Sequence, residues 1–200
     1  MHTTYKLIQL QSVDSTNRYL KDYVSEHCAT DLVFCTTEQQ TAGYGQQNRT
    51  WQTNKDSAVF SLAYSIEPKL NLPGLVSLYI ASLLHQSLTE LTDDTLYLKW
   101  PNDLYWQQKK MGGILIETKS SSTGVVIGLG INANVSTIAD VDQPWTSLSE
   151  ALGANIDRSK FLVTLLDALY LSMESFQDLD SEALQKKWLK WDLIKGKSIT

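Results

Sequence analysis

Two neighbouring segments in the middle of the chain decide its organisation: residues 99–103 read KWPND, and residues 109–117 read KKMGGILIE. Pro101 has no backbone N–H and its ring moves Trp100 out of the helical region, so a strand is expected to end at this pair. The Asn-Asp pair that follows has the chemistry of a turn. A simple hairpin has little use for two lysines followed by two glycines, whereas bare backbone lets a ligand approach closely. We therefore expect a binding site for a small anion here.

The overall composition is ordinary for a globular domain with a sizeable core. Hydrophobic residues make up 42% of the 200 residues and charged residues 20%. The net charge of −5 argues against general nucleic-acid binding, which usually needs a basic face. No apolar run is long enough to span a membrane, so no membrane partner is expected. The first four residues, MHTT, are too polar for a signal peptide, and the sequence therefore predicts a cytoplasmic protein.

The cysteines and histidines indicate neither a disulfide nor a metal site. Cys28 and Cys35 have no CxxC spacing and no neighbouring histidine cluster, so ordinary reduced thiols are expected. His2, His27 and His85 are scattered, without the spacing of metal ligands and without a nucleophile as partner. We expect their side chains to be solvated or half-buried, and we predict no metal held by protein ligands.

The hydrophobic pattern predicts an α+β fold. Strands are expected at residues 5–10, 32–36, 58–66, 96–100, 104–106, 111–118 and 125–132. Helices are expected from about residue 15, at residues 75–91, at 147–152 with Gly153 as the stop, at 157–176 and at 181–193. Runs of neighbouring strands favour antiparallel pairing. The prediction is one mixed, largely antiparallel sheet with helices mainly on one face.

Four polar or glycine-rich segments interrupt the strands and helices. Besides residues 99–113, they are residues 14–17 (DSTN), 40–51 (QTAGYGQQNRTW) and 128–132 (GLGIN). DSTN suits a helix cap, the GLG run suits a strand bulge, and the GYG run suits either a loop turn or a backbone nest for an anion. GLGIN lacks the third glycine and the acidic residue of a dinucleotide-binding fingerprint. None of the four segments alone assigns a function.

Taken together and in this order, the segments resemble the biotin–protein ligases. KWPND followed by K-x-x-G-I-L-x-E, from Lys110 to Glu117, is a specific pattern, and the likeness spans residues 14–132. The resemblance implies the biotin/lipoate ligase catalytic fold and a two-step reaction. The carboxylate of biotin attacks the α-phosphate of ATP and gives biotinyl-5′-AMP and diphosphate. A lysine of a biotin carboxyl carrier domain then attacks this intermediate and releases AMP.

The resemblance also implies roles for individual residues. Lys110 is expected to be the essential cation, Arg49 a phosphate ligand, and Asp103 the group that receives the carrier lysine; these three are the predicted catalytic residues. The predicted biotin-binding residues are Ser15, Thr16, Asn17, Gln40, Gly43, Tyr44, Gly45, Gln46, Lys110, Gly113, Leu115, Gly128 and Gly130. The predicted ATP- or AMP-binding residues are Arg49, Trp51, Lys99, Asn102, Lys110, Asn132 and Trp145. Mg²⁺ is expected to accompany ATP, held more by phosphates than by carboxylates.

The phosphate loop, residues 43–49, departs from the family pattern, which usually reads GRGRRGR. Here it reads GYGQQNR, so Tyr44, Gln46 and Gln47 stand where the family has arginine. A hydrogen bond to a charged group is worth about 1.5–3 kcal/mol, so we expect the adenylate to be formed but retained poorly. Asn48 in place of glycine is expected to be a mild change if the position is left-handed, because asparagine tolerates that region.

The expected domain organisation is a catalytic domain over residues 1–193, with residues 194–200 as the start of a small β domain that is truncated or absent. The catalytic pattern begins by residue 14, so no N-terminal DNA-binding domain is expected. Two rival functions remain, a lipoate ligase or octanoyl transferase of the same fold and a non-catalytic biotin-binding protein. The polar residues 15–17 and Gln40 favour biotin, because a lipoyl tail would want an apolar slot. An exposed edge strand would support a homodimer.

Overall fold

The computed structural model describes residues 5–27, 32–65, 73–91, 96–118, 124–139, 141–173, 175–176 and 179–195. The strands are β1 (Lys6–Val13), β2 (Val33–Gln40), β3 (Ser57–Ser65), β4 (Leu96–Lys99), β5 (Asp103–Trp106), β6 (Lys109–Thr118) and β7 (Gly124–Asn132). The helices are α1 (Thr16–Glu26), α2 (Pro73–Thr89), α3 (Leu148–Leu152), α4 (Arg158–Met173) and α5 (Ser181–Trp188). None of these described helices is both long enough and apolar enough to cross a membrane.

The seven strands form one sheet in the order β1-β2-β3-β7-β6-β5-β4. β1 and β2 are parallel, and every other neighbouring pair is antiparallel. A parallel pair needs a crossover connection, and α1 provides it between β1 and β2. The other strands include three that follow one another along the chain through short turns. The prediction of a mixed, largely antiparallel sheet is confirmed.

The two faces of the sheet pack against different helices. In β2, Phe34 belongs to the large core formed with α2, α4 and α5. Its neighbours Val33 and Cys35 face the other way and pack with Leu20 of α1 in a smaller cluster. This alternation follows from the two-residue period of a strand. Most of the helical surface therefore lies on one face, as the sequence predicted, and of the described helices α1 alone packs on the other face.

The end of α5 differs from the prediction. The helix was expected to continue to residue 193, but it ends at Trp188. The following segment runs along the outer side of β4, where the Leu98 N–H donates to the Trp191 carbonyl over 2.8 Å and the Leu193 N–H donates to the Leu98 carbonyl over 2.8 Å. These bonds satisfy backbone groups that an edge strand would otherwise leave unpaired. Residues 196–200, where most of the expected C-terminal β segment falls, lie outside the described residues.

His85 is buried, so the expectation that it is solvated or half-buried was wrong. Its side chain is 3% exposed, its Nε2 lies 2.9 Å from the Leu96 carbonyl oxygen, and its ring stacks on Trp191 with centroids 4.0 Å apart. Cys35 is a free thiol, as expected, and burial raises its pKa to about 12. His2 and Cys28 lie outside the described residues.

Candidate active site

A cleft opens on the α1 face of the sheet, beyond the N-terminal end of the helix. Along β7 the residues on this face are Val126, Gly128 and Gly130, so the apolar contact with α1 stops after the valine. Gly113 of β6 pairs with Gly130 across the strands and extends the patch without side chains. The cleft encloses about 800 Å³ when the space open to solvent is included. An added Cβ would clash with the Asn17 carboxamide at Gly128 and would lie 2.5 Å from the Trp51 ring at Gly130, so these glycines let two side chains of the cleft pack directly on the sheet backbone.

The cleft brings together residues from all four of the segments that the sequence singled out. The predicted site residues that line it are Ser15, Thr16, Asn17, Gln40, Tyr44, Gly45, Gln46, Arg49, Trp51, Asn102, Asp103, Lys110, Gly113, Leu115, Gly128 and Gly130. Sequence reasoning missed the other lining residues, which are Thr50, Val59, Phe60, Ile114, Leu129 and Gln143. Four of these missed residues are apolar residues of strands. A strand pattern carries no signal that distinguishes a cleft wall from an ordinary core.

Lys110 faces the cleft because β6 contains an irregularity. Two successive residues of β5 pair with Gly112 and Lys110 of β6, so Met111 is an extra residue in the ladder. Such a bulge interrupts the alternation of side chains. Met111 is buried in the large core, whereas Lys110 shares the cleft face with Gly113, three positions away. The sequence indicated the lysine, and the bulge directs it into the cleft.

Lys110 is paired with Asp103. Its Nζ lies 2.8 Å from Asp103 Oδ1, and the two side chains are 17% and 18% exposed. The contact is an ion pair without good hydrogen-bond geometry, and no other donor in the described part of the chain satisfies this oxygen. The same Nζ lies 5.8 Å from the centroid of the Trp51 ring, which is within cation–π range. The cleft therefore holds a mostly buried positive charge with an incompletely satisfied partner.

The N-terminal end of α1 supplies neutral polar groups. Ser15 is the N-cap residue and is 2% exposed, but its hydroxyl makes no capping hydrogen bond, so the simple cap interpretation does not account for it. The Thr16 N–H donates to Gln40 Oε1 over 2.9 Å. Behind them, the hydroxyl of Ser61 in β3 lies 2.7 Å from the Thr16 hydroxyl and 2.5 Å from Asn17 Oδ1. Ser61 was missed, because a single serine in an apolar strand has no distinguishing pattern.

Glu117 lies on the cleft-facing side of β6 and accepts three hydrogen bonds. The donors are Asn17 Nδ2 at 2.8 Å, Lys21 Nζ at 2.8 Å and the Tyr44 hydroxyl at 2.7 Å. Burial raises the pKa of Glu117, but these hydrogen bonds outweigh burial and hold the pKa below its usual value. Burial and the bond to Glu117 raise the pKa of the Tyr44 phenol. Near pH 7, Glu117 is therefore a carboxylate, Lys21 an ammonium and Tyr44 a neutral phenol.

The phosphate loop lies over the cleft as the tip of a small hairpin. The Gly45 N–H donates to the Arg49 carbonyl over 2.8 Å, and the Trp51 N–H donates to the Gly43 carbonyl over 2.9 Å. Asn48 has a φ of 56° and is left-handed, which is the condition under which its replacement of glycine is mild. At Gly43 an added Cβ would lie 2.5 Å from the Trp51 carbonyl oxygen, so packing alone requires glycine there.

Four of the predicted site residues do not line the cleft: Gly43, Lys99, Asn132 and Trp145. The Lys99 ammonium lies 5.6 Å from the centroid of the Tyr105 ring. Asn132 is 4% exposed and donates from Nδ2 to the Thr146 carbonyl over 3.0 Å. Trp145 lines a separate, shallow depression, although its backbone pairs with that of Lys110. The ligand contacts of these residues stay predictions.

Asn102 lines the cleft but is already engaged in the fold. Its Nδ2 donates to the Ile114 carbonyl over 2.7 Å, and its own carbonyl accepts from the Ile114 N–H over 2.9 Å. These two bonds fix the turn after Pro101 against β6. The carboxamide therefore positions the segment that carries Asp103, and its predicted contact with phosphate stays a prediction.

Comparison with known proteins agrees with this geometry. The pattern of the Biotin/lipoate A/B protein ligase family matches residues 9–132, which is more than half of the chain. The chain belongs to this family. The resemblance drawn from the four segments is thereby confirmed at the level of the family.

Two curated relatives show how far the likeness extends. The bifunctional ligase/repressor BirA of Escherichia coli (strain K12) is 34% identical over 190 residues, which cover 92% of this chain and 58% of that protein. The biotin–[acetyl-CoA-carboxylase] ligase of Mycobacterium tuberculosis is 30% identical over 160 residues, which cover 78% of this chain and 59% of that protein. The matched part therefore spans less than two thirds of either relative.

The fold is also that of solved members of the family. A biotin protein ligase from Aquifex aeolicus, solved in complex with biotin and ATP, superimposes with a TM-score of 0.78 at 28% identity and covers 94% of this chain and 78% of that chain. A biotin protein ligase from Leishmania major has a TM-score of 0.79 at 20% identity, with 98% of this chain and 84% of that chain covered, which shows the shared fold.

Proposed function

We propose that this chain is the catalytic part of a biotin–protein ligase. It would activate biotin with ATP as biotinyl-5′-AMP and transfer the biotinyl group to a lysine of a biotin carboxyl carrier domain. The observation that carries the proposal is the position of Lys110, which shares one cleft with the neutral polar groups of α1 and with Arg49 of the phosphate loop. The family of the chain and the names of its relatives support the same reaction.

Lys110 can offset the electrostatic repulsion that opposes the first step. The attacking carboxylate and the α-phosphate are both anions, and two unit charges about 4 Å apart repel by roughly 4 kcal/mol at an effective dielectric constant near 20. A fixed cation between them offsets this repulsion and stabilises the charge that moves in the transition state. The ion pair with Asp103 holds the ammonium in the cleft until the anions arrive.

The polar groups at the start of α1 suit the other end of biotin. A ureido ring offers two N–H donors and one carbonyl acceptor and has no net charge. The hydroxyls of Ser15 and Thr16 and the carboxamides of Asn17 and Gln40 are neutral groups that can both donate and accept. The carboxamide of Asn17 packs directly on the bare backbone of Gly128, and the side chains of Val59 and Leu115, which line the cleft, offer apolar surface for an aliphatic tail.

The second step needs an acceptor group at the mouth of the cleft. Asp103 is the one carboxylate among the residues that line the cleft in the described part of the chain. It would receive the ammonium of the incoming carrier lysine and help it to lose its proton before attack. Since Asp103 already binds Lys110, the carrier lysine and Lys110 would share one carboxylate.

Mg²⁺ would be held mainly by the phosphates of ATP. No group of three histidine, cysteine or acidic side chains within the described ranges is close enough to hold a metal ion. Mg²⁺ usually keeps several waters and binds through one or two carboxylates together with substrate phosphates. When bound, it would neutralise charge on the triphosphate, and Arg49 would add a further cation from the protein.

Two wider expectations belong to the same proposal. The enzyme would be cytoplasmic, and the net charge of −5 favours action on a protein and not on nucleic acid. No strand within the described ranges pairs with the outer side of β1, so this edge is where a homodimer would form. Residues 1–193 would act as one catalytic domain.

Isotope exchange between labelled diphosphate and ATP tests the proposal. The exchange should depend on biotin and should be absent with lipoate or with neither acid. Exchange with lipoate alone would identify a lipoate ligase of the same fold, and biotin binding without exchange would identify a non-catalytic biotin-binding protein. Transfer of labelled biotin to a carrier domain, in the presence of ATP, tests the second step.

A further inference from the structure

Tyr44 combines two features that the reaction alone does not explain. It stands in the phosphate loop at a position where the family pattern has arginine, and it is tied to two other elements by its hydroxyl group. That hydroxyl donates to Glu117 of β6 over 2.7 Å and accepts from Lys21 of α1 over 3.3 Å. The guanidinium of Arg18 lies 4.6 Å from the centroid of its ring, within cation–π range.

The carboxylate that holds Tyr44 is itself firmly placed. Lys21 binds one oxygen of Glu117 over 2.8 Å, with the two side chains 34% and 24% exposed. Asn17 donates to the other oxygen over 2.8 Å, the same oxygen that accepts from Tyr44. Hydrogen bonds to an ionised acceptor are roughly twice as strong as bonds between neutral groups. The phenol is therefore attached to a fixed point behind the cleft.

Holding Tyr44 also holds the rest of the phosphate loop. The backbones of Tyr44 and Thr50 form a bridge, and the adjacent Gly45 N–H donates to the Arg49 carbonyl. Gln46 and Arg49, both exposed, lie on the side of this hairpin that lines the cleft. An anchor at one end of the hairpin therefore restricts the residues that face the ligand.

The charges around Tyr44 explain why a phenol suits this place. Two cations, Arg18 and Lys21, are already beside the ring, and each has its own carboxylate: Asp14 lies 3.1 Å from Arg18 and Glu117 lies 2.8 Å from Lys21. An arginine in place of Tyr44 would add a third cation to two carboxylates that are already paired, and it could not accept the hydrogen bond from Lys21. The phenol keeps the attachment to Glu117 without adding charge.

We propose that Tyr44 is a positioning residue whose phenol fastens the phosphate loop over the cleft through Glu117 and Lys21 before any ligand binds. The loop would then be ordered by a neutral phenol inside the free protein, without a ligand. The inference rests on the proposed function for the identity of the ligand, but the anchor itself is a property of the free protein.

The free protein gives the first test. Tyr44→Phe removes only the hydroxyl, and Tyr23→Phe is the matched control, since the Tyr23 hydroxyl binds Lys6 on the exposed side of α1. Without ligand, we expect trypsin to cut after Arg49 about tenfold faster or more in Tyr44→Phe than in the wild type, as the loss of one hydrogen bond to a charged group implies. Tyr23→Phe should be cut at the wild-type rate, with fragments assigned by mass spectrometry.

Ligand kinetics give the second test. In Tyr44→Phe the dissociation rate of biotin, followed by stopped-flow tryptophan fluorescence, should rise several-fold, and the KM for biotin in diphosphate exchange should change more than kcat. Glu117→Gln should shift cleavage and dissociation in the same direction. A purely structural role would lower the unfolding temperature without separating KM from kcat.

The outcomes separate the anchor from the function. Equal cleavage after Arg49 in Tyr44→Phe, Glu117→Gln and the wild type would overturn the anchor, whatever the ligand. Faster cleavage in a protein that binds no biotin would keep the anchor and remove the proposed function. Faster cleavage together with unchanged biotin dissociation would show that the loop does not hold the ligand, and that result also overturns the inference.

Discussion

Met111 decides where the charge of Lys110 lies. In a regular strand, residues 111, 113, 115 and 117 would share one face, so Met111 would point into the cleft and Lys110 into the large core. A lysine in that core would meet the high cost of an unpaired buried charge. The bulge exchanges the two positions, and Met111 is fully buried as a result. One extra residue in β6 thus separates a packed core from a charged site.

Removal of the Lys110 charge should abolish most of the chemistry. Lys110→Met keeps the aliphatic stem, and loss of a group that stabilises transition-state charge typically costs about 10²–10³ in rate. We expect biotin-dependent diphosphate exchange to fall by that factor. Lys109→Met is the matched control, because Lys109 binds the exposed Glu150 over 2.8 Å outside the cleft, and it should stay within about twofold. A Lys110→Met protein that keeps more than a tenth of the wild-type rate would exclude this role.

At the residue scale, the sequence identified residues of types that are uncommon in an apolar strand. Lys110, Gly113 and Gly128 stand out in apolar strands, and all three line the cleft. Ser61 and Glu117 were not assigned, because their importance comes from partners more than forty positions away in the chain. Such partners meet only when strands and α1 have taken their places in the fold.

At the scale of elements, the phosphate loop is a hairpin whose two central residues face different surroundings. Gln46 lines the cleft, whereas its neighbour Gln47 is exposed, does not line it and has a φ of 55°. The same substitution at the two positions therefore has different consequences. The absence of arginine from the phosphate loop is expected to weaken retention of the adenylate. Substitutions at Gln46 and Gln47 test this expectation within one loop.

Gln46→Arg should lengthen the lifetime of bound biotinyl-AMP by about tenfold or more, because a hydrogen bond to a charged group contributes about 1.5–3 kcal/mol. Gln47→Arg should leave the lifetime near the wild-type value. The measurement is the decay of labelled biotinyl-AMP that co-elutes with the protein in gel filtration. A wild-type lifetime equal to that of an arginine-rich relative would remove the premise, and equal lifetimes in the two variants would contradict the assignment of Gln46 to the ligand.

The elements themselves could mostly be predicted, since strands and helices follow local hydrophobic periods. The exceptions have tertiary causes. The last turn of the predicted α5 is lost because residues 191–193 satisfy the outer side of β4. The hydrophobic pattern of this segment fits a helix, and only the neighbouring strand makes another conformation better.

At the scale of the whole molecule, the sheet separates stability from binding. One face carries the large core with α2, α4 and α5, and the other carries α1 and the cleft. On the cleft face, Gly128 and Gly130 leave room for the Asn17 carboxamide and the Trp51 ring, which an added Cβ would meet. The sequence predicted the class of this fold. It did not show which face packs the core and which holds the cleft, because that depends on which residues of each strand point towards α1.

The large core contains a titratable group that should make stability depend on pH. Burial lowers the pKa of His85; the hydrogen bond to the Leu96 carbonyl acts against burial, and Lys187 lowers the pKa further. The unfolded chain therefore takes up a proton more readily than the folded protein as the pH falls. The contribution of His85 to stability is complete above about pH 6.5 and is lost as the pH falls from there through the folded-state pKa. Glu117, whose folded-state pKa is also lowered, adds a similar loss at more acidic pH, below about 4.3.

Urea unfolding at pH 7, 6 and 5 measures this dependence. We expect the wild-type free energy of unfolding to fall across the series. His85→Gln, which retains a donor for the Leu96 carbonyl, should be less stable at pH 7 by about 1–2 kcal/mol but should show a flatter dependence on pH. If His85→Gln kept the full wild-type slope, the buried histidine would not be the group that couples folding to acid over this range.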